Sequence, residues 1–272
     1  MRNQRKRLKW ILMVPVCVVV ILAVGFLLYT AEYYHADSTA LSALEPDPES
    51  DDAVKVTKTE YGWYFDGPSE RDALVFYPGA KVEETAYAPL LHLLAAEGID
   101  VCLVKMPFHL AFFGANKASD VMADYDYEHW YMGGHSLGGA MAANYAAEHG
   151  AELTDDSAEL AEHGSGLTED GAEVASHDSK LTGLVLLAAY PTKQLDESLS
   201  VVSIYGSEDG VLNMENLAKG DAYLPKTALK CVIEGGNHAQ FGNYGAQDGD
   251  GEASISAEEQ QRKTVEMILS QR

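Results

Sequence analysis

The chain holds 272 residues, 47% of them hydrophobic and 9% aromatic, enough to bury the core of one large domain or two small ones. Its formal charge is −23; residues 1–9 carry five basic residues (Arg2, Arg5, Lys6, Arg7, Lys9) and no acid, which leaves the remainder at −28. A surface that acidic repels phosphate backbones and anionic headgroups, which argues against nucleic acid as a partner of the main domain.

After the basic start, Trp10 to Thr30 (WILMVPVCVVVILAVGFLLYT) contains no charge. About 20 apolar residues cross a bilayer core as a helix, so this run predicts a transmembrane signal-anchor over 10–30. Basic residues 1–9 before it and the acids Glu32 and Asp37 after it predict a single pass at the cell membrane, N-terminus cytoplasmic and the rest extracytoplasmic. A cleaved signal peptide would show a shorter apolar core and a small-residue cleavage site, and TAEYYHADSTA matches that poorly. Residues 31–53, with ALEPDPESDD inside, are polar and proline-bearing and read as a linker.

The main domain is expected over 54–272. VKVTKTEYGWYFDG predicts two strands joined by a turn, DALVFYPG a buried strand, and EETAYAPLLHLLAAEG a helix stopped by Gly98. IDVCLVKMP and HWYMGG are two more strands, and LGGAMAANYAAEHG a helix closed by Gly150. Residues 151–180 are rich in acids, Gly and Ser and poor in large apolar residues, an acidic surface insertion with little to give a core. LTGLVLLAAYP, SVVSIYGS and ALKCVIEGG follow as strands, and a helix with Ser256 as N-cap ends the chain. Strands apolar along their length and separated by helices define an α/β class with a mostly parallel sheet covered on both faces. Only Thr192 to Leu199 separate two of these strands, too few for a cap domain. Cys102 and Cys231 lie in apolar strands away from each other, so both are expected to be reduced; no Cys/His cluster suggests a metal, and no cofactor is expected.

The chemistry centres on Gly134-His135-Ser136-Leu137-Gly138, a G-x-S-x-G pentapeptide after a strand and before a helix. That context holds a serine in a strained turn at the strand end, with glycines letting neighbouring backbone pass, and aims the helix N-terminus at a developing oxyanion. Gly139, Ala140, Ala142 and Ala143 let the helix lie close to the sheet. Among nine histidines only His238 lies beyond residue 177, in the glycine-bearing loop IEGGNHAQFG. The acid belongs after an earlier strand; Asp209 in SIYGSEDGV is the choice by placement, with Glu208 in reserve and Asp196 a third candidate. Oxyanion donors are the backbone amide of Leu137 and one from the turn after FYPGAK, Ala80 before Gly79. Phe108, Phe112, Phe113 and Asn116 follow a strand end that should face the site and are candidates to line the substrate pocket. Asp248 to Glu252 only superficially resembles a calcium loop and reads instead as a buttress for the histidine turn.

These stretches, with YPGAKVEETAYAPL, VKMPFHLAFFGANKA and GGNHAQFGNYGAQDGDGEASIS, resemble the α/β-hydrolase superfamily, and within it the small bacterial α/β-hydrolase fold-5 family, over residues 54–271. The resemblance implies a sheet of about eight strands with Ser136, Asp209 and His238 as triad. The plan is also similar to dienelactone hydrolases, which use a cysteine nucleophile where this chain has serine. The acidic insertion departs from the family pattern. The expected activity is a carboxylesterase-like serine hydrolase acting on small-molecule ester or acyl substrates through an acyl-enzyme. Acyl transfer by the same triad and a catalytically silent binding module are the rivals. A domain beginning near Ser38 is expected to keep the activity, since the anchor supplies no site residue.

Overall fold

The computed structural model describes residues 2–45, 54–68, 71–159 and 180–271, with side chains described outside 2–14, 151–159 and 180. It divides into two units, Met1–Tyr33 and Tyr34–Arg272. The first is a 30-residue helix, α1 (Arg2–Ala31), with Pro15 inside it. Among the described residues no helix is long and apolar enough to cross a membrane. The side chains of α1 are described only from Pro15 onward, a stretch shorter than the ~20 residues a span requires, so the span predicted at 10–30 falls partly outside what is described.

The second unit is built on one eight-stranded sheet: β1 (Lys55–Lys58), β2 (Gly62–Asp66), β3 (Asp72–Tyr77), β4 (Asp100–Val104), β5 (His129–His135), β6 (Lys180–Leu187), β7 (Ser200–Gly206) and β8 (Leu229–Ile233). The order is β1-β2-β4-β3-β5-β6-β7-β8, with β1–β2 and β2–β4 antiparallel and every other pair parallel. Helices α2 (Ser38–Ser42), α3 (Ala88–Ala96), α4 (Lys117–Asp124), α5 (Leu137–Glu159), α6 (Met214–Gly220) and α7 (Ala257–Leu269) accompany it. The fold class read from the apolar strands is the one observed.

Strand β3 shows how the period of two survives in a strand buried at every position. Leu74 and Phe76 join the core layer of Tyr87, Leu90, Leu94 and Val265, whereas Ala73, Val75 and Tyr77 join the layer of Val121, Trp130, Ala142 and Ala146. Each face of the sheet therefore has its own dry layer, and the strand ends at Tyr77, His135, Gly206 and Ile233 are brought to one edge. No helix occurs in the connection 188–199 between β6 and β7, as its length predicts.

Three expectations need correction. The helix predicted over 83–98 begins as a 3-10 turn, Glu84–Tyr87, and becomes α-helical only at Ala88, because Pro89 occupies an early position whose missing N–H costs nothing there. Gly150 does not end α5, which runs on to Glu159; a helical glycine costs about 1 kcal/mol and stops a helix only where a left-handed turn follows. The insertion expected at 151–180 is thus helical at its start, and residues 160–179 lie outside the described residues. Within the segment read as a linker, Tyr34 bridges Val82, Asp37 caps α2 by accepting a 2.9 Å bond from the Ala40 amide, and Ala40 is fully buried. Residues 34–45 are therefore part of the second unit, and 46–53 lie outside the described residues.

Cys102 sits on β4 and Cys231 on β8, with β3, β5, β6 and β7 between them. At ~4.8 Å per strand step the separation exceeds 20 Å, far beyond the ~7 Å a disulfide tolerates. Burial pushes both thiols up, which keeps them protonated and unreactive at neutral pH. Thiol titration of unreduced, denatured protein should find Cys17, Cys102 and Cys231 all free, whereas Cys102 in native protein should react slowly; a deficit of two thiols would contradict the strand order.

Candidate active site

Strand β5 delivers His135 and then Ser136, whose φ of +53° is the left-handed conformation that an L-residue adopts at a cost of about 1–3 kcal/mol. The surrounding structure holds it there. The Ser136 amide donates to the Leu187 carbonyl of β6 at 2.9 Å, and the Ser136 carbonyl accepts from Ala140 in the first turn of α5 at 3.0 Å. Glycine is needed on both sides because backbone passes at contact distance: a Cβ at Gly138 would lie 2.1 Å from the Tyr77 carbonyl oxygen, and one at Gly134 2.6 Å from it.

His238 follows β8 and Asp209 follows β7. Their side chains are each 1% exposed, and His238 Nδ1 lies 2.9 Å from Asp209 Oδ2. The other carboxylate oxygen of Asp209 accepts from the amides of Val211 at 2.9 Å and Leu212 at 2.8 Å. A carboxylate with both oxygens occupied fixes the imidazole tautomer: Nδ1 carries the proton and Nε2 keeps its lone pair. That Nε2 is buried and has no hydrogen-bond partner among the described residues. His238 and Ser136 line the same cavity, of about 270 Å³, with Tyr190, Leu212 and Asn213 on its wall. Larger hollows of about 360 and 410 Å³ lie elsewhere and contain none of these three residues. Of the two other acids weighed, Glu208 is exposed and accepts from the Ser207 hydroxyl, and Asp196 accepts from the Ser198 amide.

The acidic loop is a buttress for the histidine turn. Asp250 Oδ1 accepts from the amides of Gly210 at 3.1 Å and His238 at 3.2 Å, and its Oδ2 from that of Ala239 at 2.8 Å. One carboxylate thereby ties the loop of Asp209 to the loop of His238.

A second network lies at the turn that follows β3. The Gly79 amide donates to the Tyr87 hydroxyl at 3.0 Å, and that hydroxyl lies 2.8 Å from His135 Nδ1. The Gly79 amide is therefore engaged, while the amides of Ala80 and Leu137 donate to no described residue. Glycine at 79 is required by this network, since a Cβ there would meet the Tyr87 oxygen at 2.8 Å and His135 Nδ1 at 2.9 Å. His135 is fully enclosed with its ring centroid 4.4 Å from that of His238. Burial first, and repulsion from His238 whenever that ring is protonated second, hold the His135 pKa well below the usual imidazole range, so His135 stays neutral. Sequence reasoning missed Tyr87 and His135; the only signal was a tyrosine in an apolar helix and a histidine inside the pentapeptide.

The pocket candidates fare differently. Phe108, Phe112 and Phe113 are 45%, 68% and 48% exposed, pack edge to edge at 5.5 and 5.6 Å, and do not line the Ser136 cavity, nor does exposed Asn116. Phe108 and His109 both have positive φ, 56° and 54°, and the His109 carbonyl accepts from the Lys81 amide at 2.8 Å. The wall comes instead from the loops after β6 and β7, Tyr190 and Val211–Asn213.

A mainly parallel sheet, a left-handed serine at the β5–α5 turn and a buried carboxylate–imidazole pair at the same edge define a hydrolase of the α/β type. The chain belongs to the α/β-hydrolase family, whose sequence model matches residues 73–163 and 156–262. No curated protein matches the sequence. Among solved structures, a monoacylglycerol lipase of Paleococcus ferrophilus shares 15% identity at a TM-score of 0.51, with 80% of this chain and 100% of that chain covered. A presumptive hydrolase of Agrobacterium vitis S4 shares 12% at a TM-score of 0.53, covering 80% and 98%. A Thermus thermophilus protein shares 11% at 0.50, again covering 80% and 98%. At these identities the likeness is one of fold.

Replacing Tyr87 by Phe should leave the Gly79 N–H and His135 Nδ1 buried without partners, a loss of about 1–3 kcal/mol. The thermal midpoint should fall by roughly 3–8 °C, with a larger fractional loss of kcat than of affinity. Tyr244→Phe, whose hydroxyl reaches only Gln247, is the control and should move neither by as much.

Proposed function

We propose that this protein is a serine hydrolase that cleaves esters and related acyl compounds through a covalent acyl-enzyme, with Ser136, His238 and Asp209 as its triad. The observation that carries the reading is the buried His238–Asp209 pair, 2.9 Å apart, in which Nε2 has no partner among the described residues and His238 lines one cavity with Ser136. Nε2 takes the Ser136 hydroxyl proton as Oγ attacks the carbonyl carbon, and the resulting oxyanion accepts from the Leu137 and Ala80 amides. The tetrahedral species collapses by breaking the bond to the alcohol oxygen, which leaves with the proton held on His238. Water then attacks the acyl-enzyme, giving its proton to Nε2; release of the acid returns that proton to Ser136. Asp209 stays ionised throughout and stabilises the imidazolium.

The substrate class is short and uncharged. A cavity of about 270 Å³ with no helix over it between β6 and β7 has room for a small acyl group and little apolar wall for a long one. The acidic surface disfavours polyanionic substrates. The reading also holds that the domain is anchored outside the cell membrane by one N-terminal helix. Three observations support it: the uncharged run 10–30, the five basic residues before it, and a helix Arg2–Ala31 whose described apolar side chains, such as Ile21 at 69% and Leu28 at 68%, are largely exposed.

A fluorophosphonate probe should label the wild-type protein and not Ser136→Ala; equal labelling of both would end the serine-hydrolase reading. Asp209→Asn should lower kcat by on the order of 10³-fold or more while Glu208→Gln changes it little, and the reverse would reassign the acid. Turnover of p-nitrophenyl esters should be highest for acetate or butyrate. A maximum at long acyl chains would show that the binding surface extends well beyond this cavity.

A further inference from the structure

The segment that enters the second unit does more than connect. The Tyr34 amide donates to the Lys81 carbonyl at 2.7 Å and the Glu83 amide donates to the Tyr34 carbonyl at 2.8 Å, a short parallel bridge with the turn that carries Ala80. The Ala36 amide donates to Glu83 Oε2 at 3.1 Å, a second hold on the same turn. On its other side the segment meets the loop that serves the histidine. The Asp248 amide donates to the Tyr34 hydroxyl at 3.1 Å, the Asp37 amide donates to the Asn243 carbonyl at 2.9 Å, and the Tyr34 and Tyr244 rings lie 5.6 Å apart. Two residues beyond Asp248 stands Asp250, the carboxylate that holds the backbone of His238, Ala239 and Gly210.

We propose that residues 34–37 form a positioning strap for the active site, with Tyr34 clamping the oxyanion turn 79–83 to the loop 243–251 that holds His238 in register. The proposal rests on the serine-hydrolase reading for its catalytic meaning, though the clamp itself is a matter of geometry. None of the strap residues lines the Ser136 cavity, so they touch no substrate. Their effect passes through two backbone segments: the turn that aims the Ala80 amide, and the loop that sets the height of the imidazole. Catalysis is sensitive to such placement because an error of about 1 Å in a reacting group can cost ~100-fold. Binding of the ground state is not. A strap of this kind therefore predicts loss in kcat with KM preserved, and a chain that began at Ser38 would lack Tyr34, Ala36 and Asp37 together.

The test uses the full-length chain in detergent, with p-nitrophenyl butyrate as substrate and active sites counted by fluorophosphonate burst. Tyr34→Phe removes only the hydroxyl that receives the Asp248 amide and should lower kcat by ~3- to 10-fold, the worth of one hydrogen bond. Tyr34→Ala, which also removes the ring against Tyr244, should lower it further, with KM within about twofold in both. Amide hydrogen exchange, which needs no activity, should quicken at 79–83 and 243–251 in both variants and stay unchanged at β5 and β6. Loss of exchange protection throughout the domain, or kcat per titrated site equal to wild type, would overturn the proposal. If Tyr34→Ala does not fold, Tyr34→Phe decides alone. Absence of any labelling in the wild type would instead remove the enzymatic reading, while the exchange measurement would still accept or reject the clamp.

Discussion

Everything at the catalytic edge depends on one backbone conformation. Ser136 occupies the left-handed region at φ +53° between the end of β5 and the start of α5, and nothing in its own chemistry favours that. The conformation persists because strand and helix are pressed together until only glycine fits: Gly134 and Gly138 both lie against the Tyr77 carbonyl, and Gly139 approaches Gly134 and Ala189. The strain is held by packing of the sheet against α5, through fully buried Ala142 and Ala146, so the core and the Ser136 turn are two views of one constraint.

Around that fixed point the polar groups are matched rather than merely close. Asp209 uses one oxygen for the imidazole and the other for two amides, Asp250 links the loops that bear Asp209 and His238, and Tyr87 joins the Gly79 turn to His135. Each buried donor or acceptor so engaged avoids the penalty of an orphaned group. Six buried side-chain atoms among the described residues have no hydrogen-bond partner, the Nε2 atoms of His135 and His238 among them; that of His238 is the atom that a hydrolytic mechanism asks to be basic and available.

Much of this was legible in the chain. Continuous apolar runs separated by helical patterns announce the parallel sheet, and a serine among glycines with one late histidine picks out two residues that line one cavity, because both signals are local in sequence. What stayed hidden depended on contacts between distant residues. Tyr87 and His135 meet across 48 positions, and nothing near either marks the pairing. Tyr34 looked like linker because a single bridge and a hydroxyl bond leave no periodic trace, and its partner amide lies 214 residues away. The aromatic group at 108–113 follows a strand that ends at the right edge, yet its rings pack on one another and do not line the Ser136 cavity, a matter of side-chain contacts that no local pattern announces.

The continuation of α5 past Gly150 bears on how the molecule can be handled. A helix rises about 1.5 Å per residue, so Glu159 lies roughly 33 Å along the axis from the serine at its start. Lys180, where the described chain resumes, pairs with His129 at the beginning of β5, the opposite end of the strand from the nucleophile. Both ends of the acidic stretch 160–179 are thus rooted on the far side of the sheet from the chemistry. A fluorophore, affinity tag or surface tether inserted between Glu159 and Lys180 would be attached through two points at the end of the sheet opposite Ser136, which makes that junction a natural handle for immobilising or tracking the protein.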